Sequence, residues 1–482
     1  MQVTRRDFFQ RLLNQPSNNL QNGDEISHLL NRITWGPLPA EMARAREIGY
    51  EGFVDEQLAY ESLENGRLDR EMRFFSHWRM SRRELYSIED SNYRAYLAIQ
   101  KGVLTQAVFS HRQLFERMVD FWRDHFNIPA DIDYGPDVIL FEKNVLQKHA
   151  LGKFRNILIA SAKHPAMLAY LDNYVSTKAY PNENYARELM ELHSLGVDGG
   201  YTETDVKETA RAFTGWTIHE KTKDGFYFNP NNHDEGPKTV LGRKLGAGRG
   251  IEDGLQVLSI LAIHPSTATF LSRKLCVRFV SDNPPESIVV SAAKVWVESD
   301  GDIRTVLRHI LLSEEFRQSQ GQKFRRPYEF FVGALRATGT RINAFWRTET
   351  FLRLLGQYPH GWHPPNGYPD VAAAWINAGG LLYRWNVSMA LTHTAYSDHA
   401  ENYGYVSRLR DQIGTPTTVG ELVDQVATRV WGEAIGEPAR SQFVEYAADG
   451  KGADTPLNAH LFSRKFASLF GLMLASPHYQ WR

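Results

Sequence analysis

Apolar residues recur at helical spacing along most of the chain. Ile26, Leu29, Leu30 and Ile33 form one such stripe, and residues 95–126 carry a longer one. Apolar positions three and four residues apart are typical of a helix with one buried face. The pattern therefore predicts a mostly α-helical protein, built as a large multi-helix body.

The clearest local signals lie in residues 181–216. Asn182 or the region of Asn184 can open a first helix, and Gly196 is placed to end it. Residues 202–205, Thr-Glu-Thr-Asp, resemble a capping box that opens a second helix. These signals predict a helical hairpin.

The pattern changes after residue 216. Residues 217–245 contain alternating stretches broken by glycines and Asn-Pro, which predicts a small antiparallel β excursion. The chain then divides into four parts: a polar leader (1–23), a helical core (24–215), a short β and loop insertion (216–250) and a helical C-terminal part packed on the core (251–482).

The composition excludes several classes of protein. The 482 residues have a formal net charge of −1 and a single cysteine, Cys276. A charge so close to zero gives no electrostatic basis for binding nucleic acid. One cysteine cannot form an intramolecular disulfide, and its apolar neighbours favour a buried packing residue. No run of about 18 apolar residues occurs, so we expect no transmembrane helix.

The leader contains an arginine pair, Arg5 and Arg6, followed by Asp7, Phe8 and Phe9. This resembles the twin-arginine export motif. The apolar region and the cleavage site of a signal peptide do not follow, because the next residues are polar. We therefore expect a cytoplasmic protein, with export to the periplasm by a twin-arginine route as the alternative.

The helical hairpin also carries the highest density of ionisable side chains. One interpretation is a solvated face held by ion pairs four residues apart, such as Arg187 with Glu191. The other is catalytic, because Glu188 and Glu191 are three residues apart on one helix, and two carboxylates in different environments can act as acid and base. The candidate catalytic residues are Glu188, Glu191, Asp205, Arg187 and Lys238.

Histidines and carboxylates from distant segments offer a second chemistry. Imidazole and carboxylate together suit a divalent metal, and the candidate ligands are His125, Asp172 and His233. No HxxxH or HExxH spacing on a predicted helix supports such a site, and a histidine on an apolar face is more often a core residue bonded to backbone. The cofactor is therefore open, with a divalent metal as the candidate.

The loop at residues 233–238 combines acidic, basic and imidazole side chains. Asn and Asp favour turns for local reasons, so a structured turn is the simpler interpretation. A polar turn beside a carboxylate helix would also form the lip of a pocket. The residues expected to bind a substrate there are Asn182, Glu183, Asn184, Trp216 and Asp234.

Several motifs, in order along the chain, are similar to those of one known family. They are LNRITWGP (30–37), FWRDHF (121–126), PAML with YLD (165–172), NENYARELMEL (182–192), residues 202–216, His233-Asp234 with Lys238, and HPSTA (264–268). Over about residues 26–480 the chain resembles the bacterial domain-of-unknown-function family numbered 1800.

The resemblance implies little about activity, because the family has no settled one. Its members often carry twin-arginine leaders and often lie beside genes of a sulfatase-like family numbered 1501, which implies work on an exported or surface polymer. Two departures concern histidines. Arg123 and Asp124 stand where the family usually has His-Asn, which removes one imidazole, and His193 stands where the family usually has Phe, so His193 is not a family ligand.

We expect the functional centre to be a pocket where the helix at 182–191 meets His125, Asp172, Asp205 and the loop at 233–238. The expected function is a hydrolase-like or metal-dependent enzyme acting on a small polar or saccharide-like substrate. Glu188 and Glu191 would act as acid and base, while Arg187 and Lys238 would hold an anion or polarise an oxygen. The alternative is a non-enzymatic assembly, carrier or export partner of a sulfatase-like secreted protein.

Overall fold

Helices dominate the fold, as the apolar spacing predicts. The computed structural model describes residues 24–130, 134–219, 225–342, 345–396, 405–406 and 409–482. Within the residues that the structure describes, helices make up 64%, about twice the share of about 30–35% in an average globular protein. The predicted class, mostly α, is confirmed.

The helices that precede the β hairpins are α1 (Glu25–Ile33), α2 (Pro39–Leu58), α3 (Gly66–Met72), α4 (Arg82–Tyr86), α5 (Ser91–Phe109), α6 (Gln113–His125), α7 (Gly135–Phe141), α8 (Phe154–Ala162), α9 (Pro165–Tyr170), α10 (Glu183–Glu191) and α11 (Glu203–Ala212). A turn of π-helix, Glu142–Gln147, continues α7.

The helices that follow the β hairpins are α12 (Glu252–Ala262), α13 (Pro265–Phe279), α14 (Glu286–Glu298), α15 (Ile303–Leu312), α16 (Glu314–Arg317), α17 (Pro327–Thr338), α18 (Phe345–Leu355), α19 (Ala378–Tyr396), α20 (Val419–Trp431), α21 (Ala439–Ala447), α22 (Ala459–Ala475) and α23 (Pro477–Gln480).

The β excursion lies where the sequence predicts it and consists of two short hairpins. The antiparallel pairs are β1 (Trp216–Ile218) with β2 (Phe226–Phe228), and β3 (Lys238–Val240) with β4 (Arg243–Leu245). Another two-stranded pair, β5 (Arg341–Ile342) with β6 (Tyr405–Val406), lies outside the predicted region.

One hydrophobic cluster joins the helices before and after the hairpins. It begins at Leu29 and reaches Tyr479, and the most extensive helix pairs in it are α13 with α14 and α19 with α22. Trp122 and Trp296 are completely buried within it. The predicted boundaries at 24–215, 216–250 and 251–482 stay predictions.

Helices α10 and α11 form the predicted helical hairpin. Asn182 caps α10, because its Oδ1 accepts the Tyr185 backbone N–H at 2.9 Å. Thr202 opens α11 through a capping box, in which its backbone N–H donates to Asp205 at 2.9 Å and its Oγ1 accepts the Asp205 N–H at 3.2 Å. Side-chain oxygens therefore satisfy the backbone donors that each helix start leaves without a partner.

The apolar stripe at residues 95–126 is broken into two helices, α5 and α6. Side-chain oxygens take over backbone donors at the break: Asn65 Oδ1 accepts the His111 N–H at 2.9 Å, and Ser110 Oγ accepts the Arg112 N–H at 3.1 Å. Of the two histidines in this stretch, His111 is exposed in the connection and His125, at the end of α6, is buried.

Within the part of the chain that the structure covers, no single helix is long and apolar enough to cross a membrane. Only α12 and α13 taken together, bent by 60° at their junction, reach the necessary length and composition. The predicted leader with Arg5 and Arg6 lies outside the described residues, so the location of the protein stays a prediction.

Candidate functional site

Asn182 caps α10, and Glu183 and Asn184 are its first two residues. Asn182 is committed to the fold: besides capping α10, its Nδ2 donates to the Leu171 carbonyl at 3.1 Å. Glu183 and Asn184 are exposed. These three predicted substrate-binding residues therefore form the surface start of a helix.

The charged face of α10 is largely ion-paired. Arg187 donates to both carboxylate oxygens of Glu203, at 2.9 and 2.7 Å, and approaches Glu191 at 3.6 Å. The Tyr201 hydroxyl donates to Glu191 at 2.6 Å. Arg187 and Glu191 are thus arranged as the solvated-face interpretation describes.

Glu188 differs from its neighbours on this helix. It is half-buried, and burial and the Glu191 charge raise its pKa, against the opposing effect of Arg187. Its own charge acts on Tyr170, whose pKa is raised to about 12 by burial first and by Glu188 second. Glu188 is therefore the predicted carboxylate on α10 whose pKa is raised.

Lys238 and His233 converge on one buried carboxylate at the base of the β hairpins. Lys238 Nζ donates to Asp253 Oδ2 at 2.7 Å, and His233 Nε2 lies 3.4 Å from the same oxygen. The other ring nitrogen of His233, Nδ1, lies 2.8 Å from the Thr214 carbonyl oxygen. Lys238 and His233 are therefore engaged by partners within the protein.

Asp234 and Asp205 connect α11 to the hairpins. Asp234 accepts two hydrogen bonds from Arg211, at 2.7 and 3.0 Å. Asp205 accepts the Leu241 backbone N–H at 2.7 Å in addition to its capping bond. Both carboxylates position the hairpins against the helix.

The predicted residues Trp216 and Asp172 differ in their exposure to solvent. Trp216 is completely buried, and its ring lies so close to α12 that a Cβ on Gly254 would be 2.5 Å from it. Asp172 is exposed, with a left-handed φ of 57°. Among the described residues, no group of three or more His, Cys, Asp or Glu side chains is placed to hold a metal ion.

A cleft of about 200 Å³ opens beside His125, where α6, α13 and the loop before residue 371 meet. Apolar and ionisable side chains both line it. The apolar ones are Phe121, Phe270 and Val277, and the ionisable ones include Asp124, Arg273, Lys274, Arg278 and Asp370.

A wider groove of about 640 Å³ lies elsewhere, along α5. Its floor is apolar, with Phe75, Leu97 and Phe109, and Phe74 at its edge is 86% exposed. We place the candidate site in the smaller cleft because buried ionisable groups meet there around one amine.

That amine belongs to Lys274, which contacts the ring of His125. Lys274 Nζ lies 3.1 Å from His125 Nδ1, and His125 Nε2 lies 3.2 Å from the His193 carbonyl oxygen. A carbonyl oxygen only accepts, so Nε2 carries the ring proton and Nδ1 accepts from Lys274. Because both ring nitrogens are engaged, we do not assign His125 to a metal. His193, excluded as a ligand, orients His125 through its backbone.

The surroundings of Lys274 disfavour its charge. Burial lowers its pKa to about 8; Asp124 and Asp370 oppose the shift, and the Arg278 guanidinium, one helical turn away on α13, adds to it. Burial and the Lys274 charge lower the pKa of His125 well below its usual range. The pair therefore combines a neutral imidazole with an amine that loses its proton near neutral pH.

A buried ion cluster supports the ionisable residues of the cleft, and we call it the Arg278 cluster: Asp120, Asp124, Arg278, Arg326 and Asp370. Arg278 donates to Asp120 at 2.8 Å and to Asp124 at 2.9 Å, and it also contacts Asp370. Arg326 donates to the same two oxygens of Asp120 and Asp124, at 2.6 and 2.5 Å. Four arginines, Arg326, Arg278, Arg123 and Arg117, hold the pKa of Asp120 below its usual value despite burial.

The helices and one loop bring these groups together for local reasons. Asp120 and Asp124 are four residues apart on α6, as are Lys274 and Arg278 on α13, so each pair shares one helix face. Gly367 lets the loop lie against the end of α6, because it adopts a φ of +71° and a Cβ there would be 2.0 Å from the Asp124 carbonyl oxygen.

Sequence reasoning missed Lys274, Arg278 and Asp370. The segment FLSRKLCVRFV is helical and apolar by its pattern, and the Pro- and Gly-rich loop ending at Asp370 is irregular by its pattern. Lys274 and Arg278, four residues apart among apolar residues, were the available signal, since a buried charge requires a partner.

Comparison with known proteins gives one match. A family model described as "Protein of unknown function (DUF1800)" matches residues 28–481, nearly the whole chain. No curated protein and no solved structure matches the chain. The family that the motifs resemble is therefore confirmed, and it brings no established activity with it.

Proposed function

The chain belongs to the DUF1800 family, and from that premise we propose that it is an enzyme whose reactive group is the Lys274 amine, acting in the cleft on a small, neutral, polar substrate. The observation that carries this proposal is the 3.1 Å contact between Lys274 Nζ and His125 Nδ1 at the wall of an open cleft. It fixes the position of the amine of a residue that lines the cleft.

The chemistry that such an amine supplies is proton transfer or nucleophilic attack. A lysine becomes reactive when it is desolvated beside another cation, because both effects favour the unprotonated form. Lys274 meets both conditions through its burial and Arg278. His125, held neutral, restrains the amine without competing for its proton.

The size and charge of the cleft suggest the kind of substrate. About 200 Å³ is less than the roughly 300–1,000 Å³ of sites for drug-sized molecules, so a small molecule or the end group of a polymer fits. The Arg278 cluster has three carboxylates and two guanidiniums, and two of its carboxylates, Asp120 and Asp370, also pair with Arg123 and Lys323. The three nitrogens of Arg278 are already paired, which favours a neutral substrate over an anion.

Carboxylate catalysis on α10, the hydrolase-like function expected from the sequence, has weaker support. Arg187, Asp205 and Lys238 are engaged by protein partners. Glu188 stays a candidate because it is half-buried with a raised pKa. A polar or saccharide-like substrate remains compatible with the Lys274 cleft.

The non-enzymatic alternative is an assembly, carrier or export partner of a sulfatase-like protein. It is favoured by one observation, the complete internal pairing of Arg278, since such a network can be purely structural. The two functions differ in what they require of Lys274.

The test measures turnover of a panel of short-chain carbonyl compounds, esters, sugars and glycosides. NMR monitors the consumption of each compound by the wild type, by Lys274→Met and by Lys294→Met. Lys294 is the matched control, a surface lysine whose side chain is 76% exposed. For any substrate consumed, we expect Lys274→Met to lower kcat/KM by at least about 100-fold and Lys294→Met to leave it unchanged.

Full activity of Lys274→Met would disprove the role of the amine. Wild-type protein that consumes nothing in the panel, yet binds the sulfatase-like protein equally well with and without Lys274, would favour the non-enzymatic alternative. Elemental analysis of the purified protein tests the metal-dependent version separately.

A further inference from the structure

We propose that Lys274 forms an imine with short-chain aldehydes or ketones, which makes carbonyl compounds the substrate class of the cleft. The inference rests on the proposed function in one respect, the use of the Lys274 amine in this cleft. It goes further by specifying covalent attack instead of proton transfer alone.

The first argument is the direction of the amine lone pair. His125 Nδ1 has no hydrogen, because Nε2 carries the ring proton toward the His193 carbonyl at 3.2 Å. Nδ1 can therefore only accept, and it takes one N–H of Lys274. The lone pair of the neutral amine must point away from the ring. Lys274 lines the cleft, so the cleft is where an electrophile can meet that lone pair.

The second argument is the fraction of amine that is unprotonated. With a pKa lowered to about 8, about a tenth of Lys274 is neutral at pH 7, against less than about 0.1% for a lysine with the usual pKa of about 10.4. The carboxylates of Asp124 and Asp370 oppose this shift and are already paired with arginines.

The third argument is the surroundings of the amine. Lys274 Nζ lies 5.5 Å from the centre of the Phe270 ring, and Phe121 and Val277 continue that apolar wall. A carbon chain can lie against it while the carbonyl group faces the amine. Imine formation also requires a proton for the carbonyl oxygen, and solvent in the cleft can supply it.

The reaction balances without an oxidant or reductant. The Nζ lone pair forms a bond to the carbonyl carbon, and the C=O π pair moves to the oxygen, which takes up a proton. The oxygen then leaves as water after a second protonation, the nitrogen loses both of its protons to solvent, and a C=N bond forms. One amine and one carbonyl compound give one imine and one water.

The test is reductive trapping on the full chain. The protein is incubated with glycolaldehyde and sodium cyanoborohydride between pH 6 and 9, and modified lysines are identified by peptide mass spectrometry. We expect Lys274 to be modified at least about tenfold faster than Lys294 at pH 7, with a stoichiometry near one per chain. Acetone oxime in place of glycolaldehyde should give no modification, because it offers no free carbonyl.

Modification of Lys274 no faster than that of Lys294 would overturn the imine. The measurement is made on the wild type, so a variant that fails to fold cannot obscure it. Lys274→Arg, which keeps the charge, should remove the fast site and leave the surface lysines unchanged.

The two proposals can fail independently. If Lys274→Met abolishes turnover but Lys274 is not trapped, the amine acts as a base, and only the imine is wrong. If Lys274 is trapped but Lys274→Met leaves turnover intact, the imine forms without serving the reaction, and the proposed function is wrong.

Discussion

At the scale of the residue, burial shifts the pKa values of two side chains of α13, Cys276 and Lys274, in opposite directions. Burial raises the pKa of the Cys276 thiol to about 12, so the thiolate does not form near neutral pH and the expected packing role holds. Burial lowers the pKa of Lys274 to about 8, which produces the reactive neutral amine. The same low-polarity environment therefore makes the cysteine inert and the lysine reactive.

The lowered pKa of Lys274 also means that its ammonium form destabilises the folded state. The folded chain disfavours the ammonium, so this destabilisation is full below the folded pKa of about 8. It falls as the pH rises and disappears above the unfolded pKa of about 10.4. A residue that opposes folding at neutral pH is typical of a functional site, where activity and stability compete.

At the scale of the element, the cleft depends on how the loop before residue 371 lies against α6. Besides the close approach at Gly367, Asn127 Nδ2 donates to the Trp362 and Pro364 carbonyls at 2.7 and 2.8 Å. These contacts set the position of Tyr368 and Asp370 relative to Lys274.

Gly367→Ala should destabilise the protein more than Gly356→Ala does. Both glycines have a left-handed φ, +71° and +84°, but a Cβ on Gly356 has nothing within 4 Å. Gly356→Ala should cost about 1–2 kcal/mol for the backbone strain alone. Gly367→Ala adds the clash with the Asp124 carbonyl, about 1–3 kcal/mol more. Urea unfolding of both variants measures the difference, and equal costs would show that the loop does not press on α6.

Local elements could be predicted from the sequence, because their signals lie within a few residues. Asn182 and the Thr202–Asp205 capping box predicted both helices of the hairpin, and the turn-rich stretch predicted β1 to β4. The break between α5 and α6 was missed, since Asn65, which accepts the His111 N–H, is 46 residues away.

At the scale of the whole molecule, buried ion pairs join distant parts of the chain. Arg278 is 154 residues from Asp124 and 92 from Asp370, and these separations explain why the site could not be predicted. Helical spacing indicates which residues share a face, but it does not indicate which faces meet. The predicted ionic residues Lys238 and Asp234 have protein partners for the same reason: the fold supplies neighbours that spacing does not reveal.

Glu329 on α17 tests how much these buried pairs contribute. It is fully buried between Arg117 and Arg482, each at 2.7 Å. Removing one partner leaves buried charges unpaired, so Glu329→Gln should lower the free energy of unfolding by about 3–5 kcal/mol. Glu286→Gln, which removes the exposed partner of Arg273, should lower it by less than about 1 kcal/mol. Similar losses in denaturant unfolding would mean that the buried network is not a main support of the fold.

The central claim is that Lys274 works as an unprotonated amine held in the cleft. Titration of its Cε signal by NMR, in protein labelled with carbon-13 at lysine Cε and assigned by loss of the signal in Lys274→Arg, tests this claim most directly. The predicted midpoint is near pH 8. A midpoint at the usual lysine value of about 10.4 would contradict the account.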